Sequence, residues 1–312
     1  MTTNVLPVSS IDALHVYPVK GCRGLSPERV TAEVTGFATE ALSDREWMVI
    51  DSQARFVTQR EFPRLALVEV STARGDTLLL ATSGLSPLVI PLARAPRPAR
   101  EVRVWRSAVR GFDEGDDAAE WLTRALGSPV RLVRFDRTKP RHCNPDFVGD
   151  TGAGRSPLRA ARCPPEGERA PWERPGGAHT LFADGYPVLV IGLASLSDLN
   201  ARLADNGFPE VPMNRFRPNL VLAGLDPYAE DYVDTIEAGD VVLQCVKPCT
   251  RCQVTTTDQA TANVGVEPLR TLAGYRMNER SGGVTFGMNA IVVAGAGATL
   301  TRGGEARVAF RF

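Results

Sequence analysis

Two thiols and two cations fall within six residues at Lys247-Pro248-Cys249-Thr250-Arg251-Cys252. The thiolate is the form of cysteine that attacks and ligates, and a neighbouring guanidinium lowers a thiol's pKa. Arg251 beside Cys252 could therefore favour a thiolate or hold an anionic ligand next to it, and soft thiolates suit soft or high-valent metals. Three plainer readings share the same spacing. A C-x-x-C redox pair belongs at a strand-to-helix junction, whereas the run Gln253-Val254-Thr255-Thr256-Thr257 predicts a further extended segment. Half of a zinc site would need more ligands, and Cys22, Cys143, Cys163 and Cys245 contain no second C-x-x-C. Both sulfurs could also be small buried apolar side chains.

The thiol motif must be delivered by the apolar run Val241 to Val246, read as a strand entered through the Ala238-Gly239-Asp240 turn. Other basic turns sit beside predicted strands. A strand from Ile11 to Val19 ends in Lys20-Gly21-Cys22-Arg23-Gly24, which can offer N–H groups and cations to an anion. Arg45 opens a buried strand at Ser43-Asp44-Arg45-Glu46-Trp47, and its planar fork suits phosphate. Asn214-Arg215-Phe216-Arg217-Pro218-Asn219 is a turn fixed by Pro218. On the plainer reading Lys20 is an exposed turn residue, Arg45 and Arg217 pair with nearby acids, and Asn219 satisfies turn backbone.

The scaffold reads as β-rich. Short runs at Leu65–Val70, Thr77–Leu80, Leu88–Leu92, Val102–Trp105 and Val130–Phe135 alternate with Gly/Pro turns. Asp116 to Leu126 predicts a helix stopped by Gly127. After Leu181-Phe182-Ala183-Asp184-Gly185-Tyr186-Pro187 comes a strand Val188–Ile191, and Ser195-Leu196-Ser197-Asp198 predicts a capping box opening a second helix. Glu267–Leu272 predicts a short helix, Val284–Ile291 a strand, and Thr299–Phe312 a closing hairpin around Gly303-Gly304. Lys139 to Thr180 lacks a periodic apolar pattern and predicts a long loop. Within it, Gly149 to Ser156 is a near miss to a P-loop, rejected because Pro145 and Pro157 flank it and Arg155 replaces the lysine.

Bulk composition excludes several classes. Lys plus Arg and Asp plus Glu are 36 each in 312 residues, so no nucleic-acid-binding excess of charge exists and any anion site must be a local cluster. No apolar run is long enough to span a membrane, and Met1 to Ser10 has no signal-peptide pattern. A cytoplasmic location with six reduced cysteines is expected.

The pattern C-x-R-C followed by Thr-Thr-x-Asp resembles the MOSC domain of molybdenum-cofactor proteins, nearest the bacterial YcbX type and the mitochondrial amidoxime-reducing component. The resemblance runs from about Ile11 to about Phe310 and takes in Tyr-Pro-Val-Lys at Lys20, Asp-Arg-x-Trp at Arg45, Phe-Ala-Asp at Asp184, Phe-Arg-Pro-Asn at Arg217 and Asn219, and Phe-Gly-x-Asn at Asn289. Gly185-Tyr186 favours the YcbX branch. Gly21 stands where the family has Ser, and Met288 where it has Gln. The resemblance implies an α+β, mainly β fold: an N-terminal MOSC-type β-barrel region (11–136), a loop or linker (137–180) and a C-terminal MOSC β-barrel with a few helices (181–310). It implies a molybdenum cofactor (Mo-molybdopterin) held by Lys20, Gly21, Arg45, Gly185, Tyr186, Arg217, Asn219, Thr250, Arg251 and Asn289, with Cys252 as catalytic thiolate and metal ligand. The implied reaction is reduction of N-hydroxylated compounds such as amidoximes and N-hydroxylated bases. Electrons would come from a separate ferredoxin- or flavoprotein-type partner, since the YcbX type's C-terminal ferredoxin domain is not expected here. The alternative is a sulfur or cofactor carrier using a persulfide on Cys249 or Cys252.

Overall fold

The structure, a computed structural model, describes residues 8–73, 75–93, 98–144 and 178–311. It is mainly β with few helices, as the short apolar runs imply. Seven strands close into a barrel in the order Val188–Gly192, Leu220–Ala223, Val8–Leu14, Glu305–Phe310, Val233–Ala238, Val241–Thr250 and Gly283–Ala294, and the last pairs back onto the first. Val188–Gly192 and Leu220–Ala223 run parallel; the other neighbours are antiparallel. Ile11, Leu14, Val190, Leu222, Ile236, Leu243, Ala290 and Val308 fill the interior. Closure leaves no exposed edge along these strands. The strand Val8–Leu14 comes from the start of the chain, yet it sits between two strands of the second half, with Val8 opposite Arg307 and Leu14 opposite Leu220.

The rest of the first half builds a second core. A five-stranded sheet runs in the order Val19–Lys20, Trp47–Ile50, Arg131–Phe135, Ser107–Asp113, Ala99–Val104, and a three-stranded sheet holds Glu69–Ser71, Thr77–Thr82 and Leu85–Pro91. The helix Asp116–Leu126 buries Ala118, Trp121, Leu122 and Ala125 against this core. Gly127 ends it in the left-handed conformation, donating to Thr123 O, as its position predicts.

Several local expectations need correction. Thr299–Thr301 pairs with Arg29–Glu33, not with Glu305–Phe310, so the end of the chain is not a hairpin. Leu65–Val70 splits into a 3-10 turn, Pro63–Leu67, and a short strand, Glu69–Ser71, because Pro63 favours the first turn of a helix. The second helix, Leu193–Asp205, begins before Ser195 and has no side-chain cap. Ser195 Oγ instead donates to Glu230 Oε2 at 2.7 Å and accepts from Tyr228 N at 2.8 Å. The long loop leaves and returns on a two-strand ladder, Arg141–His142 with His179–Thr180, and the near-miss P-loop lies outside the described residues. No helix among the described residues is long and apolar enough to cross a membrane.

Candidate functional site

The strand Val241–Thr250 pairs with Gly283–Ala294, and its register shifts between Cys245 and Lys247 and again between Pro248 and Thr250. Pro248 has no N–H to give the ladder. The strand ends at Thr250, and Cys252 caps a 3-10 turn, Gln253–Thr256. The extended segment expected after Cys252 is therefore absent. Thr255 Oγ1 donates to Cys252 O at 3.0 Å and Thr256 Oγ1 to Gln253 O at 2.8 Å, local bonds that offer the backbone an alternative to a strand. The turn leaves Cys252 exposed and Cys249 half-buried.

Cys249 and Cys252 both line a cavity of about 160 Å³ whose wall draws on the two halves of the chain. All the residues singled out from the sequence line it: Lys20, Gly21, Arg45, Gly185, Tyr186, Arg217, Asn219, Thr250, Arg251, Cys252 and Asn289. Among the described residues its lining carries five cations (Lys20, Arg45, Arg60, Arg217, Arg251) and one carboxylate, Asp184, on a chain whose formal net charge is zero.

The cations are held by neighbouring residues before any ligand arrives. Lys20 Nζ lies 2.5 Å from Asp184 Oδ1 and 5.1 Å from the centre of the Phe56 ring. Burial lowers the Lys20 pKa, with Asp184 opposing. The Asp184 side chain is 71% exposed, yet the cavity wall packed around it works against its charge; Lys20, the Trp105 indole (Nε1 to Oδ1, 2.8 Å) and Arg45 outweigh this and hold its carboxyl below the usual range. Arg45 (φ 51°) and Arg217 (φ 55°) both adopt left-handed backbone, a sign of strain stored at a site. Their guanidiniums lie 4.9 and 4.3 Å from the Tyr17 ring centre. Burial pushes the Tyr17 phenol up to about 12, so it stays neutral between them.

Arg45 pairs with Asp44 and donates to Asn219 Oδ1 at 3.2 Å. Asn219 also accepts from Leu189 N (3.1 Å) and donates to His15 O (3.2 Å) and Asp44 Oδ1 (2.9 Å). Its amide thus orders the wall through backbone and acid partners. Arg251 donates from Nη1 to Cys249 Sγ at 2.9 Å and from Nη2 to Phe216 O at 2.6 Å. The cation that precedes Cys252 in sequence therefore serves Cys249. Its Nε is buried without a protein hydrogen-bond partner. Asn289 Nδ2 reaches Lys247 O (3.3 Å) and Pro248 O (3.5 Å). Gly21 has φ +88°, and an added Cβ there would lie 3.2 Å from Leu65 Cδ1, which accounts for glycine in that turn. Burial pushes the thiols of Cys22, Cys143 and Cys245 up to about 12, which disfavours the reactive thiolate form.

Sequence reasoning missed Asp184, Gln59, Arg60 and Trp105 in this wall. Asp184 stood inside a motif singled out for its neighbours. Gln59 gives no local signal. It forms a reciprocal amide pair with Gln259, at 3.1 and 2.9 Å, and donates to Gly21 O at 2.7 Å. This pair ties the first half of the chain to the turn that follows Cys252.

Residues 8–129 match the MOSC N-terminal beta barrel domain and residues 178–306 the MOSC domain. "Mitochondrial amidoxime-reducing component 1" of Homo sapiens is 34% identical over 278 residues, 88% of this chain and 74% of that protein. The chain belongs to the MOSC family of the amidoxime-reducing components. This MOSC protein is also similar to component 1 of Mus musculus (34% identity, 90% of this chain and 75% of that one) and to "Mitochondrial amidoxime reducing component 2" of Bos taurus (32%, 88% and 74%). Lys20, Arg45 and Trp105 lie in the first matched region, and Arg217, Arg251 and Cys252 in the second, so the cavity draws on both.

Proposed function

We propose that this protein holds a molybdenum cofactor in the cavity and reduces N-hydroxylated compounds with electrons delivered by a separate protein. The observation that carries the reading is the gathering of five cations around one carboxylate beside an exposed thiol, on a chain with no net charge. Guanidiniums with aromatic backing suit a phosphate and a flat ring system, and the buried, unpartnered Arg251 Nε is a donor left over for such a ligand. Among the described residues no group of three or more His, Cys, Asp or Glu converges. A metal here would therefore need a carrier bringing its own donor atoms, which fits a pterin dithiolene with one protein thiolate.

In this reading Lys20, Arg45 and Arg217 neutralise the cofactor's anionic end, while Gly185, Tyr186, Thr250, Arg251 and Asn289 border its rings. Cys252, being exposed on the rim, supplies the metal thiolate. When bound, the cofactor supplies the two-electron reduction of the N–O bond, which consumes two protons and releases water. The protein's part is to orient the N–O group beside Cys252 and to keep the cavity cationic. The relatives' names supply the substrate type. The electron donor and a cytoplasmic location belong to the same proposal.

Elemental analysis by plasma mass spectrometry on protein from a molybdenum-replete host, with turnover of an amidoxime, tests it. Wild type should carry molybdenum, and Cys252→Ala should fold but not turn over. Full activity in Cys252→Ala would end the proposal. A second reading, a sulfur carrier, is favoured by one observation: Arg251 Nη1 stands 2.9 Å from Cys249 Sγ, where it would stabilise a persulfide anion. Intact-mass analysis showing a one-sulfur adduct on metal-free protein, lost in Cys249→Ser, would support that reading over the first.

A further inference from the structure

Ala99–Val104 and Ser107–Asp113 form a hairpin whose two-residue turn is Trp105-Arg106. Trp105 occupies the left-handed region at φ 54°. Glycine, asparagine or aspartate normally fills such a turn position, and a bulky residue there is an outlier. Trp105 is also 50% exposed, whereas Trp47 is fully buried and Trp121 nearly so. Core packing therefore explains neither its backbone nor its side chain.

What fixes it is the cavity wall. The indole Nε1 donates to Asp184 Oδ1 at 2.8 Å, the oxygen that also takes the Lys20 ammonium at 2.5 Å. Phe56 meets the ring edge-on, with centroids 4.9 Å apart and planes at 65°. The Arg60 guanidinium lies 5.0 Å from the ring centre. Asp184 and Trp105 come from opposite halves of the chain, so the indole is clamped across the seam. Trp105, Phe56, Arg60 and Asp184 all line the cavity. A large, rigid aromatic surface, oriented by a hydrogen bond and left partly open, is how binding surfaces engage flat ligands.

We infer that Trp105 is a specificity-determining residue: a stacking platform that selects uncharged, planar, conjugated N-hydroxylated compounds over small aliphatic hydroxylamines. The second half of the selection comes from charge: Arg60, the lining cation that the cofactor reading does not assign to the cofactor, lies beside the Trp105 ring, so a cationic substrate is repelled there and a neutral flat one is not. The inference rests on the reductase reading for its substrate and deepens it by naming the subclass.

The test uses the holoenzyme with its reductant, comparing benzamidoxime with N-methylhydroxylamine. Base–aromatic stacking is of a size that makes a tenfold change in affinity the expectation. Trp105→Leu should lower the benzamidoxime-over-methylhydroxylamine ratio of kcat/KM about tenfold, mainly through KM for benzamidoxime, and Trp105→Phe should restore most of it. An unchanged ratio in Trp105→Leu overturns the inference. A second readout needs no turnover. The chain has a fourth tryptophan, Trp172, so the titration is made in a Trp172→Phe background: benzamidoxime should quench the fluorescence of Trp172→Phe, and the quench should vanish in Trp105→Phe/Trp172→Phe, since Trp47 and Trp121 are buried. A quench that persists in the double variant also overturns the platform. If wild type reduces neither compound, the reductase reading fails, and the quench alone decides the platform.

Discussion

The reciprocal amide pair of Gln59 and Gln259 gives a perturbation whose size follows from its bonds. Gln59→Leu removes the donor to Gly21 O (2.7 Å) and the donor to Gln259 Oε1 (3.1 Å). Gln259 Oε1 then keeps only a long contact from Arg217, at 3.5 Å. Gln259→Leu leaves Gln59 Oε1 without its donor and removes the bond to Thr257 O at 3.0 Å. Both amides are buried, and a buried polar group left unsatisfied costs about 1–3 kcal/mol. Each single variant, having two acceptors deprived, should lose about 3 kcal/mol. In the double variant neither amide remains to be stranded. Only Gly21 O and Thr257 O are then deprived, so its loss should again be about 3 kcal/mol, well short of the sum, a coupling of about 3 kcal/mol. Urea unfolding of wild type, both singles and the double measures this from midpoints at constant m. Losses that add to within about 0.5 kcal/mol would refute the idea that the two amides act as one unit.

Three further outcomes follow from contacts already described. Asp184 has a lowered folded pKa, so its contribution to stability is present above the unfolded carboxylate value and is lost as pH falls through the folded one. Acid titration of thermal stability should show that loss in wild type and a flattened limb in Asp184→Asn, a difference of about 1 kcal/mol because the carboxylate is open to solvent. Glu230 is buried and its pKa is raised by that burial despite bonds from Ser195 Oγ and Gly192 N. Its contribution is therefore complete at low pH and lost as pH rises through the raised value; Glu230→Gln should remove this loss, read as a Tm that falls less between acid and neutral pH. Phe216 is fully buried, stacks on Phe286 at 4.3 Å and supports Arg251, so Phe216→Ala should cost about 3–5 kcal/mol in chemical denaturation.

What the sequence disclosed divides by range of interaction. The helix Asp116–Leu126 was legible to the residue because its apolar face and its Gly127 stop are local. Lys20, Arg45, Arg217 and Arg251 were legible because each sits in a short basic segment beside a strand, whereas Gly185, Tyr186 and Asn289, the last inside the strand Gly283–Ala294, were named only through the family resemblance. Pairing partners were not: Thr299–Thr301 has every mark of a hairpin arm, and only the distant Arg29–Glu33 explains why it lies elsewhere. The Thr run after Cys252 favours a strand by propensity, but hydroxyl-to-backbone bonds bend it into a 3-10 turn. Ser195 looked like a cap because its real partner, Glu230, is far along the chain. Trp105, Gln59 and Asp184 were hidden for the same reason, since each takes its role from a contact with a residue remote in sequence.

The strand Val8–Leu14 lies between Leu220–Ala223 and Glu305–Phe310. During synthesis it leaves the ribosome long before either flanking neighbour exists, and it must stay unpaired until they arrive. The seam that completes the barrel is thus among the last parts of the molecule able to form. Loading of any large ligand between the two halves is then naturally a late event in the life of a newly made chain, and early-truncated products would expose a sticky, half-built sheet.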